Sequence, residues 1–334
     1  MRTIRMSLLG LATAALVLFP TGGARASNDT SFKDQWSLGR IGAEKAWTRT
    51  TGAGIRVGIV DTGVDLEHED LAGKVVESIS CVGSDGDASK CQGSAQDDQG
   101  HGTHVSGIVA AMKDNGKGIA GVAPDAQLVV AKVMNAQGTG NGTDVTAGIK
   151  WVVDHGAKVV NLSLGDPAQP ITALISENEL KEGVDYAWSH GAIAVVAAGN
   201  SGTGLGVEGS NFGDMNAIVV GATGPDDKSA SYSTSTGEAK WAVAAPGGAA
   251  DSKKADDIFS TFWMSGQKNA YTYLAGTSMA APHVSGAVAL LLAQGYSPAD
   301  AVKRLLETAD KGVGCEANSS TCAGRINVDK ATMK

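Results

Sequence analysis

Short apolar runs separated by glycine-rich and polar stretches dominate the sequence. Five runs are apolar almost throughout and predict parallel β-strands that are covered on both faces; they span residues 55–60, 128–133, 158–164, 192–198 and 217–222. Helical periodicity predicts helices over residues 41–47, 101–112, 144–155, 171–189, 278–293 and 298–309.

The alternation of strands and helices predicts an α/β fold. Strands that alternate with helices form a parallel sheet with right-handed crossovers, so we expect a three-layer, doubly wound, mostly parallel sheet. Residues 27–334 show no break in composition and no internal repeat, which indicates one domain. Ligands of such sheets bind beyond the carboxyl ends of the strands. Asp61 and Asn200 each follow a predicted strand and should lie at that edge.

Residues 1–26 have the pattern of a secretory signal peptide. Arg2 and Arg5 precede an apolar run over residues 6–19, and Ala24-Arg25-Ala26 supplies a small-x-small cleavage site. The apolar run is too short to span a bilayer, and no later run approaches the ~20 residues that a transmembrane helix needs. The pattern therefore predicts a secreted protein whose mature chain has no membrane segment.

The charge of the chain makes polyanionic partners unfavourable. The formal net charge is −8, and removal of residues 1–26, which contain three arginines and no acidic residue, lowers it to −11. An acidic surface repels phosphate backbones and anionic lipid, so neither nucleic acid nor a membrane surface is expected to bind.

The four cysteines form two local pairs, Cys81 with Cys91 and Cys315 with Cys322. In an exported protein these pairs predict two disulfides, each of which closes a small loop and adds roughly 2–3 kcal/mol in the chain-entropy model. A four-cysteine zinc site is the alternative, but the paired spacing typical of such sites is absent.

Ser278 is a candidate nucleophile. It follows Gly276-Thr277 and precedes a long apolar run, so it should lie at the N-terminus of a buried helix. Pro282 agrees with a first-turn position, where its missing N–H costs nothing. A lone serine in such a place is more often a helix cap, so the functional interpretation depends on the rest of the chain.

A serine nucleophile needs a base and a group that orients the base. His101 is the candidate base, because it stands at a predicted helix start with a glycine on each side that leaves room for a substrate, whereas His104 lies one turn deeper. A metal-binding pair of these histidines is an alternative that lacks a third ligand. Asp61, at the end of a predicted strand, is the candidate orienting carboxylate, and a plain turn residue is its alternative.

Three segments together resemble the subtilisin-like serine peptidases, the subtilases. They are Val60-Asp61-Thr-Gly-Val64, His101-Gly-Thr-His-Val105 and Gly276-Thr-Ser-Met-Ala-Ala-Pro282, in that family's order. The resemblance implies a subtilisin-like fold and a serine endopeptidase that hydrolyses proteins or peptides through an acyl-enzyme, which we expect to be a monomer. It also implies that Asn200 donates its amide to the oxyanion.

The resemblance implies two further kinds of site. Gly138-Thr139-Gly140 and Ser163-Leu164-Gly165 resemble the segments that pair with the substrate backbone by edge-strand addition. Calcium is implied by likeness to thermitase-like members, with oxygen atoms from Asp29, Asp70, Met112, Asn115, Lys117 and Ile119. An ordinary polar loop is the alternative to that calcium site.

The sequence departs from most secreted subtilases at its N-terminus. Fewer than 40 residues separate Ala26 from Asp61, where most members have a long propeptide. We therefore expect either folding without this chaperone or a misplaced gene start. Other functions fit less well: a catalytically silent peptide-binding relative conflicts with the intact motifs, the glycines after Asn200 lack the following helix of a dinucleotide site, and no α/β-hydrolase elbow surrounds Ser278.

Overall fold

A parallel sheet forms the centre of the molecule. The computed structural model describes residues 27–164, 172–174, 176–200, 212–315 and 319–334. Within these ranges, eight strands form the sheet in the order β12, β9, β8, β7, β5, β1, β3, β2. Their bounds are β1 (Arg56–Asp61), β2 (Val75–Ser80), β3 (Gln127–Lys132), β5 (Val159–Leu162), β7 (Ile193–Ala197), β8 (Ala217–Thr223), β9 (Trp241–Pro246) and β12 (Cys322–Arg325).

Two small ribbons, eight α-helices and three short 3₁₀ helices complete the described structure. β10 (Ile258–Met264) and β11 (Gln267–Leu274) form an antiparallel hairpin, and β4 (Thr139–Asn141) pairs with β6 (Thr172–Leu174) in parallel. The helices are α1 (Trp36–Ile41), α2 (Ala43–Ala46), α3 (His101–Ala110), α4 (Gly142–Asp154), α5 (Glu177–Ser189), α6 (Thr277–Ala293), α7 (Pro298–Thr308) and α8 (Val328–Thr332). None of the helices in the described ranges is both long and apolar enough to cross a membrane.

Alternating side chains of the strands build two hydrophobic layers, one on each face of the sheet. On β1, Val57 and Ile59 face the layer that contains α3 and α6, whereas Val60 faces the layer that contains α4. The α6 helix is buried over most of its length, which agrees with its apolar sequence. The predicted three-layer α/β architecture is therefore confirmed, and the five predicted strands correspond to β1, β3, β5, β7 and β8.

Two predicted helices have different bounds in the structure. The helix expected over 41–47 is divided at Gly42, whose φ of 77° ends α1 and begins α2. The helix expected over 171–189 begins only at Glu177, after a capping box of Ser176 and Glu179. Thr172–Leu174 instead forms β6, because it pairs with β4, a partner that local periodicity does not reveal.

Several strands were absent from the sequence-based prediction. β2 is a half-buried edge strand with a mixed sequence, and β9 is rich in alanine, so neither has a strong strand pattern. The region 245–270, for which no strand or helix was predicted, contains β10 and the start of β11. This hairpin packs on α3, and that tertiary contact decides its structure.

Candidate active site

The carboxyl ends of three adjacent strands bring the candidate residues to one edge of the sheet. Asp61 ends β1, Ser163 follows β5 and Asn200 follows β7. β1 pairs with β5, and β5 pairs with β7. Neighbouring strands lie about 4.8 Å apart, so this order brings the residues that follow the strands together.

Asp61 and His101 form a buried hydrogen-bonded pair. Nδ1 of His101 donates to Oδ1 of Asp61 over 2.7 Å, and both side chains are fully buried. The N–H of Thr62 donates to the same oxygen over 2.7 Å. Since a carboxylate can only accept, the bond places the imidazole proton on Nδ1 and leaves the lone pair of Nε2 for a base.

The glycines beside His101 have a different role from the one expected. A Cβ atom at Gly100, whose φ is 110°, would lie 2.5 Å from the ring of Phe262, and one at Gly102 would lie 2.1 Å from the carbonyl oxygen of Gly63. Both glycines therefore allow protein segments to approach the start of α3. The sequence predicts that these glycines leave room for a substrate, and that prediction is wrong.

His104 is held as a structural residue. Its Nε2 lies 3.1 Å from the carbonyl oxygen of Ile258 and 3.2 Å from that of Thr272. Burial lowers the pKa of His104 to about 3, so the ring is neutral and donates to the β10–β11 hairpin. This arrangement leaves His101 as the histidine that can act as a base.

Ser278 is the second residue of α6, as the sequence predicts for a serine at a helix N-terminus. Pro282 does not lie in the first turn as expected, because it comes four residues after Ser278. Its missing N–H would otherwise bond to the carbonyl oxygen of Ser278. Oγ of Ser163 donates to that oxygen instead, over 2.8 Å, and so ties the start of α6 to the end of β5.

Asn200 is oriented by the residue before Ser278. Its Oδ1 accepts hydrogen bonds from the N–H of Thr277 over 3.0 Å and from the hydroxyl of Thr277 over 3.1 Å. The hydroxyl also accepts from the N–H of Gly199 over 3.2 Å. Because an N–H can only donate, Oδ1 must face Thr277, and the amide nitrogen of Asn200 is turned to the other side.

One of the two segments expected to bind substrate, which begins at Ser163, lies beside the start of α6. Ser163 is buried and Leu164 is partly exposed, while Gly165 lies outside the described residues. At Thr139 the N–H and the carbonyl both bond to Asn135, so the polar groups of Gly140 point to the opposite edge of β4. The strand β6 pairs with β4 beside Gly140.

The residues expected to bind calcium surround one loop. Asp29 accepts from the N–H groups of Asp114, Asn115 and Gly116. Asp70 accepts from Nδ2 of Asn115 over 2.8 Å and from the N–H of Ile119 over 2.8 Å. Met112 bonds through its N–H to the carbonyl of Asp70. The amine of Lys117 points outward toward Glu69.

These residues fit a hard cation. Two carboxylates and an amide converge on residues 112–119, and Oδ1 of Asp70, which accepts only from Nδ2 of Asn115, keeps a lone pair for a cation. Oδ1 of Asn115 accepts from the N–H of Lys117 over 2.7 Å, which turns its Nδ2 toward Asp70. No group of three or more His, Cys, Asp and Glu side chains suited to a metal occurs in the described ranges, so the site would depend on amide and carbonyl oxygens.

Both predicted disulfides are present. Cys81 bonds to Cys91, and Cys315 bonds to Cys322. Asp144 at the start of α4 anchors the first disulfide loop, because its carboxylate accepts from the N–H groups of Gly83 and Asp85 and from the hydroxyl of Ser84. Free cysteines are absent, so a zinc site of four cysteines is excluded.

Sequence reasoning missed several residues that support the site. Three of them are buried and linked by hydrogen bonds: Thr62, Asp97 and Lys132. Oγ1 of Thr62 donates to Asp97, and Nζ of Lys132 donates to the carbonyl of Thr62. The only signal in the sequence was their closeness to Asp61 and His101 along the chain or in the sheet. Register pairs Lys132 with Asp61 across β3 and β1.

Comparisons with known proteins agree on one family. The model of the subtilase family matches residues 52–324, a span that contains Asp61, His101, Asn200 and Ser278. Thermitase from Thermoactinomyces vulgaris is 38% identical over 92% of this chain and 99% of its own length. A thermophilic serine proteinase from a Bacillus species is 37% identical over 85% of this chain and 64% of its own length.

Solved structures show the same fold. A protease from Pseudoalteromonas arctica superposes with a TM-score of 0.75 at 28% identity, over 92% of this chain and 99% of that one. Fervidolysin from Fervidobacterium pennivorans, described as a keratinolytic enzyme related to subtilisin, gives a TM-score of 0.72 at 30% identity. That match covers 92% of this chain and 47% of fervidolysin.

Proposed function

Because the chain belongs to the subtilase family and is a subtilisin-like serine peptidase, we propose that it is a secreted endopeptidase that uses Ser278, His101, Asp61 and Asn200. The observation that carries this assignment is the buried 2.7 Å hydrogen bond between His101 and Asp61. It lies at the sheet edge where Ser163 anchors the start of α6.

Nε2 of His101 takes the hydroxyl proton of Ser278 while Oγ attacks the peptide carbonyl, and the same proton then passes to the leaving amine. Asp61 keeps the proton on Nδ1 and stabilises the imidazolium. Water then attacks the acyl-enzyme with His101 again acting as base, which releases the acid and restores Ser278.

The oxyanion would be stabilised by two donors. Thr277 holds Oδ1 of Asn200, so the amide nitrogen is turned away from Thr277 and would donate to the developing oxyanion. The N–H of Ser278 lies in the first turn of α6, where backbone N–H groups have no helical acceptor and the helix dipole favours negative charge.

Substrate would bind in extended form between Ser163-Leu164-Gly165 and Gly138-Thr139-Gly140. Backbone pairing of this kind does not read side chains, which suits an enzyme that acts on many proteins. Since β6 pairs with β4 beside Gly140, a peptide that extends to this edge must displace β6.

Ser278 and His101 are also fully buried, so substrate entry requires the cleft to open.

Calcium and secretion belong to the same proposal. The two carboxylates and the amide around residues 112–119 would hold Ca²⁺ and thereby tie the N-terminal segment at Asp29 to Asp70. Two disulfides agree with an oxidising compartment, and the pattern of residues 1–26 is that of an export signal.

A fluorophosphonate probe tests the catalytic assignment. We expect the purified mature chain to be labelled at Ser278 and to hydrolyse peptides, with Ser278→Ala removing both the label and the activity. His101→Ala should retain the Ser278 hydroxyl but react with the probe orders of magnitude more slowly, since the base is lost. A chain that binds peptides but resists the probe would instead be a catalytically silent relative.

A further inference from the structure

Asp97 is a fully buried carboxylate that takes no part in the chemistry described above. Its Oδ1 accepts from Oγ1 of Thr62 over 3.0 Å, from the N–H of Gly100 over 2.9 Å and from the N–H of Gln99 over 3.1 Å. Its Oδ2 accepts from the N–H of Thr103 over 3.0 Å and from the hydroxyl of Thr103 over 2.6 Å. Hydrogen bonds to an ionised acceptor are about twice as strong as neutral ones.

These donors belong to the two segments that carry Asp61 and His101. Thr62 directly follows Asp61, while Gly100 and Thr103 begin α3 around His101. The N–H of Thr62 also donates to Oδ1 of Asp61, and its Oγ1 accepts from the N–H of Gly102 over 2.8 Å. Thr62 therefore bonds at once to the carboxylate of Asp61, to Asp97 and to the backbone beside His101.

The bonds close a ring. Asp61 accepts from the N–H of Thr62, and the Thr62 hydroxyl accepts from the N–H of Gly102. Gly102 directly follows His101, whose ring bonds back to Asp61. Asp97 clamps this ring from outside, because it orders the Thr62 hydroxyl and the first turn of α3 together. Lys132 holds Thr62 from the other side through the Thr62 carbonyl, over 2.6 Å.

We propose that Asp97 is a positioning residue, which acts through Thr62 to keep the Asp61 carboxylate and the His101 imidazole aligned for proton transfer. If Asp97 only caps the start of α3, its substitution should lower stability. Its effect on kcat should then be independent of a substitution at Thr62. The proposal rests on the proposed function of Ser278 and His101, and it concerns the rate of the chemical step.

Asp97→Asn tests this role with little change in shape. The amide nitrogen of the variant would face donor groups in either orientation. These donors are Thr103 on one side, and Gly100 and Gln99 on the other. The variant therefore cannot keep all the hydrogen bonds that Asp97 accepts. We expect kcat per fluorophosphonate-titrated site to fall roughly 10- to 100-fold, as for small misplacements of catalytic groups. KM for a short peptide ester should change by less than about threefold, because ground-state binding is untouched.

Thr62 supplies the discriminating variants. Thr62→Val removes the hydroxyl link and should lower kcat to a similar extent, while Thr62→Ser, which keeps Oγ, should restore it. The double variant Asp97→Asn with Thr62→Val should be about as slow as the slower single variant, since both break one linkage. A low-field proton resonance of the His101–Asp61 hydrogen bond should shift in Asp97→Asn and in Thr62→Val.

Asp310→Asn is the matched control. Asp310 bonds to Arg325, Asn327 and Lys330 far along the chain from the site, so its loss should lower stability and leave kcat per titrated site within about twofold. Losses in Asp97→Asn and Thr62→Val that multiply in the double variant, or an unmoved resonance, would overturn the positioning role. Failure of the wild-type chain to react with the probe would instead overturn the proposed function.

Discussion

The hydroxyl of Ser163 donates a hydrogen bond of 2.8 Å to the main-chain oxygen of Ser278. The Ser163 hydroxyl also accepts from Nδ2 of Asn161 over 2.9 Å, and Oδ1 of Asn161 accepts from Ser285 over 2.8 Å. A chain of buried side chains therefore replaces the helical hydrogen bond that Pro282 cannot make, at the residue that carries the proposed nucleophile.

We expect Ser163→Ala to lower both stability and turnover. The carbonyl of Ser278 would lose the hydrogen bond that Ser163 donates, which costs about 1–3 kcal/mol, and a shift of the first turn of α6 would misplace Oγ of Ser278. Chemical denaturation and kcat per titrated site measure the two effects. Ser285→Ala, which breaks the chain one link further from Ser278, should lose less of both, and equal losses would argue against this account.

Asn200→Ala should slow the chemical step with little effect on substrate binding. Loss of one oxyanion donor typically lowers kcat by about 10²- to 10³-fold, and KM should stay nearly constant because the ground-state carbonyl carries little charge. Asn200→Asp keeps the shape but removes the N–H donors and should be at least as slow. Steady-state kinetics on a peptide anilide checks both variants, and a loss confined to KM would contradict an oxyanion role.

The free energy of unfolding should decrease as the pH falls, because buried histidines resist protonation in the folded chain. Nε2 of His283 lies 2.9 Å from Ser37, and burial lowers the His283 pKa from 6.5 to about 4. Between these values the unfolded chain binds a proton that the native ring excludes, so the free energy of unfolding decreases as pH falls through this window. The full contribution of His283 is present above about pH 6.5, and the slope reaches about 1.4 kcal/mol per pH unit.

Urea denaturation as a function of pH measures that slope. His104, whose pKa burial lowers to about 3, adds a second proton over a wider range. His283→Gln has no group that titrates there, so its curve should be flatter than that of the wild type by about one proton. Identical slopes would show that His283 is accessible to protonation in the folded chain.

Calcium removal should lower the melting temperature. Without a cation, the carboxylates of Asp29 and Asp70 would depend only on N–H and hydroxyl donors. A ligand present at 100 times its Kd adds about 2.7 kcal/mol of stability. Scanning calorimetry with Ca²⁺ and with a chelator measures the shift, and Asp29→Asn should reduce it. A melting temperature unchanged by the chelator would remove calcium from the proposal.

Disruption of β6 should favour extended substrates. Leu174→Pro removes an N–H from the strand that pairs with β4. If a peptide must displace β6, kcat/KM should rise for substrates with four residues before the cleaved bond and stay constant for substrates with one. A length series of peptide substrates on the variant and the wild type measures this dependence. A gain that is the same for all lengths would point to another cause.

The sequence by itself determined the architecture and named the residues of the proposed site. Continuous apolar runs predicted five of the eight sheet strands in the described part of the chain, because a parallel strand buried on both faces needs such a run. Three motifs named Asp61, His101 and Ser278, and the spacing of the cysteines named both disulfides. Each of these signals is contained within a few neighbouring residues, where propensity and pattern act.

Only the tertiary structure decided how those residues are supported. His101 and Asp61 are 40 residues apart, and Ser163 and Ser278 are 115 apart, so their bonds depend on strand order and helix packing. The same packing assigned His104 to the β10–β11 hairpin, turned the glycines beside His101 toward the protein, placed β6 on the edge of β4 and buried Asp97 between two segments. Such contacts follow from how three layers close on each other, and no local stretch of sequence contains that information.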